Sequence, residues 1–179
     1  MTWRGSTTVK DRVFASLPYA FPMLEASMFG AFLIAQFPVL AWLLLPLAPF
    51  AYVYGLLGSV LGSWTGFVIF FALYVLVVRN DRIHHFIRFN TMQALLIGIV
   101  VSLVILVLQL VGILPGSGIN YGLASIASNS SLLLLITVLF STIFIGVMAS
   151  SIYSIVFAAQ GKYGEIPVVS DAAYAQVRY

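Results

Sequence analysis

The chain alternates long apolar runs with short polar or Gly/Ser-rich breaks. Residues 38–57, 66–78, 86–114 and 132–159 are four such runs, each nearly free of charge. A bilayer's hydrocarbon core, about 30 Å thick, is crossed by roughly 20 helical residues. The runs therefore predict four membrane helices, the second of them short. Pro46 and Pro49 fall inside the first, where proline kinks a helix and frees a backbone carbonyl. The Gly/Ser stretch 58–65 predicts a turn between the first two. Pro115-Gly116-Ser117-Gly118 ends the third run, and 119–131 reads as an uncharged loop. Residues 13–37 are apolar enough to touch lipid but contain Pro18, Pro22 and Glu25. The expected fold is all-α, a single membrane domain. It has a polar N-terminus (1–12), an interfacial or re-entrant helix (13–37), a four-helix transmembrane region (38–159) and a polar tail (160–179).

Composition requires lipid as the solvent. Hydrophobic residues make up 62% of the chain and charged residues 7%, against about 25% charged in soluble domains. There is no cysteine, which removes disulfides and thiolate metal sites. The net charge of +3 is informative only through its placement. Arg4, Lys10 and Arg12 precede the first apolar segment, Arg79, Arg82 and Arg88 separate the second and third spans, and Lys162 and Arg178 lie in the tail. Four spans put all of these on one side, as the positive-inside rule expects, with both termini on the cytoplasmic or stromal side. A fifth span through 13–37 would set the first two clusters on opposite sides, so that segment is read as interfacial. Its prolines and Glu25 also spoil the pattern of a cleaved signal, and it is expected to be retained. No Lys/Arg stripe for phosphates exists, which argues against nucleic acid as a partner.

Several polar residues are candidates for chemistry or contact. Arg79, Arg82 and Arg88 form an interfacial basic cluster suited to lipid phosphates. His84 and His85 are adjacent and point about 100° apart on a helix, a poor geometry for one metal ion. Glu25 would be a functional group if it lay within the membrane; on an interfacial helix it faces water. Asn90 and Gln93 share a helical face, and Gly98, Ser102 and Gln109 share another. Asn90, Gln93 and Gln109 either bond neighbouring helices or line a polar path or partner contact. Thr142, Gly146, Ser150, Ser154 and Ala158, small at every fourth position, read as a helix-packing seam. There is no phosphate loop, no Gly-x-Ser-x-Gly elbow and no His-Glu-x-x-His. The chain is not expected to be an enzyme or to hold a metal or cofactor.

Val-Arg-Asn (78–80) followed by Phe-Ile-Arg-Phe-Asn-Thr-Met-Gln-Ala (86–94) resembles the signature of a known family. That family is the twenty-kilodalton subunit of the chloroplast inner-envelope protein-import translocon (TIC complex). Leu-Pro-Tyr (17–19), Gln-Phe-Pro (36–38), Phe-Phe-Ala-Leu-Tyr (70–74) and the tail block 161–173 fit it in the same order. The resemblance implies a four-span membrane subunit contributing helices to a preprotein-conducting path. Its implied partners are membrane lipids, other translocon subunits and preproteins, with force from a separate motor. It carries no catalytic residue over. No long Ser- and Arg-rich transit peptide precedes the first apolar segment, so a cyanobacterial or plastid-encoded homologue is expected. The alternative is a structural or assembly subunit of a larger, photosynthetic membrane complex.

Overall fold

A computed structural model describes residues 7–114 and 130–177. The Pro115–Gly118 stop, most of the 119–131 loop, Arg4 and Arg178 lie outside the described residues. Among the described residues there are helices and connecting turns and no strand.

Helix α1 is Val9–Gln36. Thr8 starts it with a reciprocal cap. The Thr8 amide donates to Asp11 Oδ2 at 2.8 Å, and the Asp11 amide donates to Thr8 Oγ1 at 3.3 Å. Pro18 is absorbed by tightening Leu17–Tyr19 into a 3-10 turn, and a second such turn covers Ser27–Gly30. The helix ends at Phe37, whose φ of −127° and ψ of 78° leave the helical region, as the residue before a proline must. A 3-10 segment, Pro38–Leu47, leads into α2, Ala48–Leu61. Gly62 stops α2 at φ 58°, ψ −133°, a conformation side chains avoid. Helix α3, Thr65–Leu73, runs on into a π turn, Tyr74–Val78. Helix α4 is His85–Leu110, α5 is Ser130–Ala159, and a short α6, Val169–Gln176, closes the tail.

α2 and α3 do not form one rod. The Tyr54 hydroxyl comes within 3.7 Å of the point where a Gly66 Cβ would sit. Along a straight helix those residues would stand about 18 Å apart. The chain therefore bends sharply back at Gly62, and α2 and α3 make a hairpin.

The core is built on α1, α4 and α5. Tyr19 meets Asn90, Phe21 lies against Gly98 and Glu25 reaches Ser102, so α1 and α4 run parallel. Ser154 meets Gln93, and Phe140 packs edge-on against Phe29 at 5.0 Å, so α5 is antiparallel to both. α1 buries 44% of its most apolar 18-residue window and α4 50%, against 6% for the corresponding window of Pro38–Val78. The hairpin is thus an outer layer with most of its apolar side chains turned toward lipid.

Among the described residues four helical stretches are long and apolar enough to cross a membrane: Val9–Gln36, Pro38–Val78, His85–Leu110 and Ser131–Ala159. The expected number is four, and the structure distributes them differently. Residues 38–57 and 66–78 belong to one folded-back stretch, and the segment read as interfacial packs inside the bundle. The physical reason is local. Pro18 and Pro22 fit within the helix, and Glu25, the argument for water, turns inward to Ser102. The charge pattern survives, because Pro38–Val78 then serves as a single return. Arg12 lies against Gly161, and His85 against Tyr163. The described ends and the 79–84 connection therefore gather at one end of the bundle.

Candidate functional site

α4 carries its polar residues into the bundle at the end where the chain termini meet. Asn90 and Gln93 are fully buried. The Tyr19 hydroxyl donates to Asn90 Oδ1 at 3.1 Å, and Asn90 Nδ2 donates to the Phe86 carbonyl at 2.8 Å. Gln93 Nε2 donates to Ser154 Oγ at 3.0 Å and to the Gly164 carbonyl at 2.8 Å. Ser170 Oγ donates to Gln93 Oε1 at 3.4 Å and accepts from the Ile166 amide at 2.6 Å. One amide side chain thus joins α4, α5 and the tail. Gln109 is half-buried, sixteen positions along the same helix, and is not part of this network. Tyr19, Gly164 and Ser170 fall in the family-like blocks 17–19 and 161–173, but nothing in the sequence marks them as partners of α4. Tyr19 and Gly164 lie 71 residues from their partners on α4, and no periodicity links positions so far apart.

The basic cluster divides. Arg79 and Arg82 are exposed. Arg88 is buried, its Nε donating to the Val78 carbonyl at 2.9 Å and its Nη2 paired with Asp81 at 3.0 Å. It pins the end of the hairpin to α4. His84 caps α4 by accepting from the Phe86 amide, and His85 Nδ1 lies 3.0 Å from the Tyr163 hydroxyl. Among the described residues no three His, Asp or Glu side chains gather as a metal site would need.

The every-fourth row on α5 also divides. Ser154 and Ala158 are buried against α1 and α4 of the same chain. Thr142 is exposed, and nothing lies within 4 Å of a Cβ placed on Gly146. Four residues overshoot one helical turn by about 40°, so the row winds about 160° between its ends. It cannot seat one straight helix throughout. Ile136, Phe140, Phe144 and Met148 of α5 share a buried cluster with Ala20, Met23, Ala26 and Phe29 of α1.

Two cavities open beside α1. The larger, about 920 Å³, is walled by Phe14, Leu17 and Phe21 of α1 and by Val53, Leu57 and Leu73 of the hairpin. Ile87 and Thr91 of α4 form its floor, and Asp11, Arg82 and His84 its mouth. Thr91 Oγ1 is buried with no hydrogen-bond partner among the described residues. The second cavity, about 500 Å³, shares Phe21 and Tyr54 with the first and contains Glu25 and Ser102. The larger is an apolar furrow opening at the charged end of the bundle, and the smaller, beside it, contains a carboxyl group. Asn90, Gln93 and Gln109 line neither cavity.

Residues 8–173 match the family model described as chloroplast import apparatus Tic20-like. A Tic20 family protein of the cyanobacterium Synechocystis is 42% identical over 170 residues, covering 95% of this chain and 94% of that protein. Protein TIC 20-II, chloroplastic, of Arabidopsis thaliana is 31% identical, covering 99% of this chain and 78% of its own. The Tic20 family protein Ycf60 of Pyropia yezoensis is 31% identical over 97% of this chain and 78% of its own.

Proposed function

The chain belongs to the Tic20-like family of the chloroplast import apparatus, and from that premise we propose that it is a membrane subunit of a protein translocon. The observation that carries this reading is the furrow between α1, the hairpin and α4. Its apolar walls suit a polypeptide segment shielded from lipid. Its mouth bears Arg82, His84 and Asp11. The path lies along this furrow, while Asn90 and Gln93 hold the bundle closed beneath it; Gln109 is a contact for a neighbouring subunit. Both termini lie on the cytoplasmic or stromal side, a reading that the collected basic residues support through the positive-inside rule. Other translocon subunits supply the rest of the conduit and the motor.

Site-specific photocrosslinking tests this. A photoreactive residue at Leu57 or Ile87 is expected to capture an arrested precursor chain. The same probe at the outward-facing Leu135 is expected to capture lipid. Lipid adducts alone from all three positions would overturn the transport reading.

A second reading is favoured by the open half of the α5 row. Thr142 and Gly146 leave room for close approach of a foreign helix, as an assembly or structural subunit of a larger membrane complex requires. Gly146→Leu should then reduce co-purification of that complex about tenfold or more, with thermal unfolding of the chain unchanged. Unaltered association counts against this reading.

A further inference from the structure

The smaller cavity contains a feature that forming a conduit does not require. Glu25 sits in the middle of α1, on a helix long and apolar enough to cross the membrane. A carboxyl group there is costly to insert and needs a partner. It has little within the chain. Ser102 Oγ donates to Glu25 Oε2 at 3.4 Å, a long bond. Among the described residues no Lys, Arg or His pairs with it. The other oxygen, Oε1, faces Gly66, where even a methyl group would stand only 2.8 Å away. The absent side chain at Gly66 is what leaves that oxygen reachable from the cavity.

The walls around this carboxyl are aromatic. Phe21 and Tyr54 stand on one side, and Phe67, Phe70 and Phe71 of α3 on the other. Phe67 and Phe71 are tilted with centroids 4.6 Å apart, and Phe70 meets Phe71 edge-on at 5.7 Å. One acidic group closing an aromatic box is the arrangement that recognises an organic cation. The carboxylate neutralises the charge, and ring faces attract the polarised groups beside it. A hydrated metal ion is poorly served, since among the described residues the lining offers one carboxylate and three neutral hydroxyl-bearing side chains, Tyr54, Ser63 and Ser102.

We propose that the Glu25 cavity binds an alkylammonium or guanidinium group carried on an apolar stem. The stem lies along the phenylalanine wall, and the charged head reaches Glu25 and the Ser102 hydroxyl. A basic side chain of a polypeptide in the adjoining furrow and a free amine present the same chemistry. The site stands on its own geometry and does not require the transport reading.

A hydrophobic carbodiimide provides the test, because it modifies acid-form carboxyl groups that it can approach from an apolar phase. The purified full chain in detergent is treated with dicyclohexylcarbodiimide, and modification at Glu25 is followed by peptide mass spectrometry as loss of the unmodified peptide, so that capture of the activated carboxyl group by an amine counts as modification. n-Hexylammonium should slow modification of Glu25 about tenfold, and n-hexanol should not. A short leucine peptide with one central lysine, compared with its norleucine analogue, separates the two sources. Protection by both cations assigns a basic side chain as a ligand; protection by hexylammonium alone assigns a small amine. Equal labelling with amine and alcohol, or no protection by either cation, overturns the site. Glu25→Gln should abolish modification at that position. Ser102→Ala keeps the carboxyl group and should weaken protection, which separates ligand binding from a folding defect.

Discussion

Gln93→Leu is expected to detach the tail from the bundle while the membrane helices stay assembled. Gln93 contributes two donated bonds and accepts one, reaching Ser154, Gly164 and Ser170. Leucine fills the space but leaves the Gly164 carbonyl and the Ser170 hydroxyl short of a partner, both at buried residues. Each buried polar group left unsatisfied costs about 1–3 kcal/mol. Swinging residues 160–177 into water relieves that cost, so the tail opens and the bundle does not. Tryptic cleavage at Lys162 follows the open population when closing is fast. A shift of about 2 kcal/mol then raises the cleavage rate about 30-fold. Gln109→Leu, outside this network, should leave the rate near that of the parent chain. Equal rates for the two variants would show that Gln93 does not hold the tail.

Phe89→Ala should produce the largest loss of stability. The ring is fully buried. It packs against Tyr163 at 5.0 Å and Tyr174 at 4.4 Å, within a cluster that includes Phe21, Val78 and Val177. It therefore joins α1, the end of the hairpin, α4 and the tail. Truncating a buried phenylalanine costs about 3–5 kcal/mol, part lost contact and part cavity. For a chain of this length that lowers the melting temperature by about 10 °C. Phe67→Ala removes a ring that is 56% exposed and should shift it by only a degree or two. Similar shifts for both would place the stabilising contacts elsewhere. Gln93→Leu and Phe89→Ala act on the same docked tail, so the double variant should lose less than the two separate losses added together.

Much of the architecture was legible along the chain. Run length and apolarity announced an all-α membrane protein with four spans, though not which runs make the first two, and the Gly/Ser stretch at 58–65 announced the reversal at Gly62. The block at 86–94 carried the family resemblance. Asn90 and Gln93 stood out as polar groups in an apolar helix that must find partners. Their partners were not legible, and neither was the inward turn of Glu25. A carboxyl group on an amphipathic surface helix and one facing Ser102 across the bundle are the same letter in the sequence. The every-fourth row on α5 is divided by the packing, with Ser154 and Ala158 buried and Thr142 exposed. Spacing by four looks like one face over two turns but winds off it over four.

Class, helix count and the common end for the basic residues were determined by the sequence alone. These follow from local quantities: apolar surface per residue, the length of each run, and the cost of moving charge through lipid. The tertiary structure alone decided that α1 belongs to the core, that the 38–78 stretch folds into an outer hairpin, and that Glu25 lies in a cavity beside the furrow. Those outcomes depend on which helices pack together. Packing is settled by contacts such as Tyr19–Asn90 and Gln93–Gly164, both 71 residues apart. Hydrophobic burial in lipid does little to choose between helix partners, so shape and a few hydrogen bonds make the choice. Neither leaves a periodic trace in the order of the amino acids.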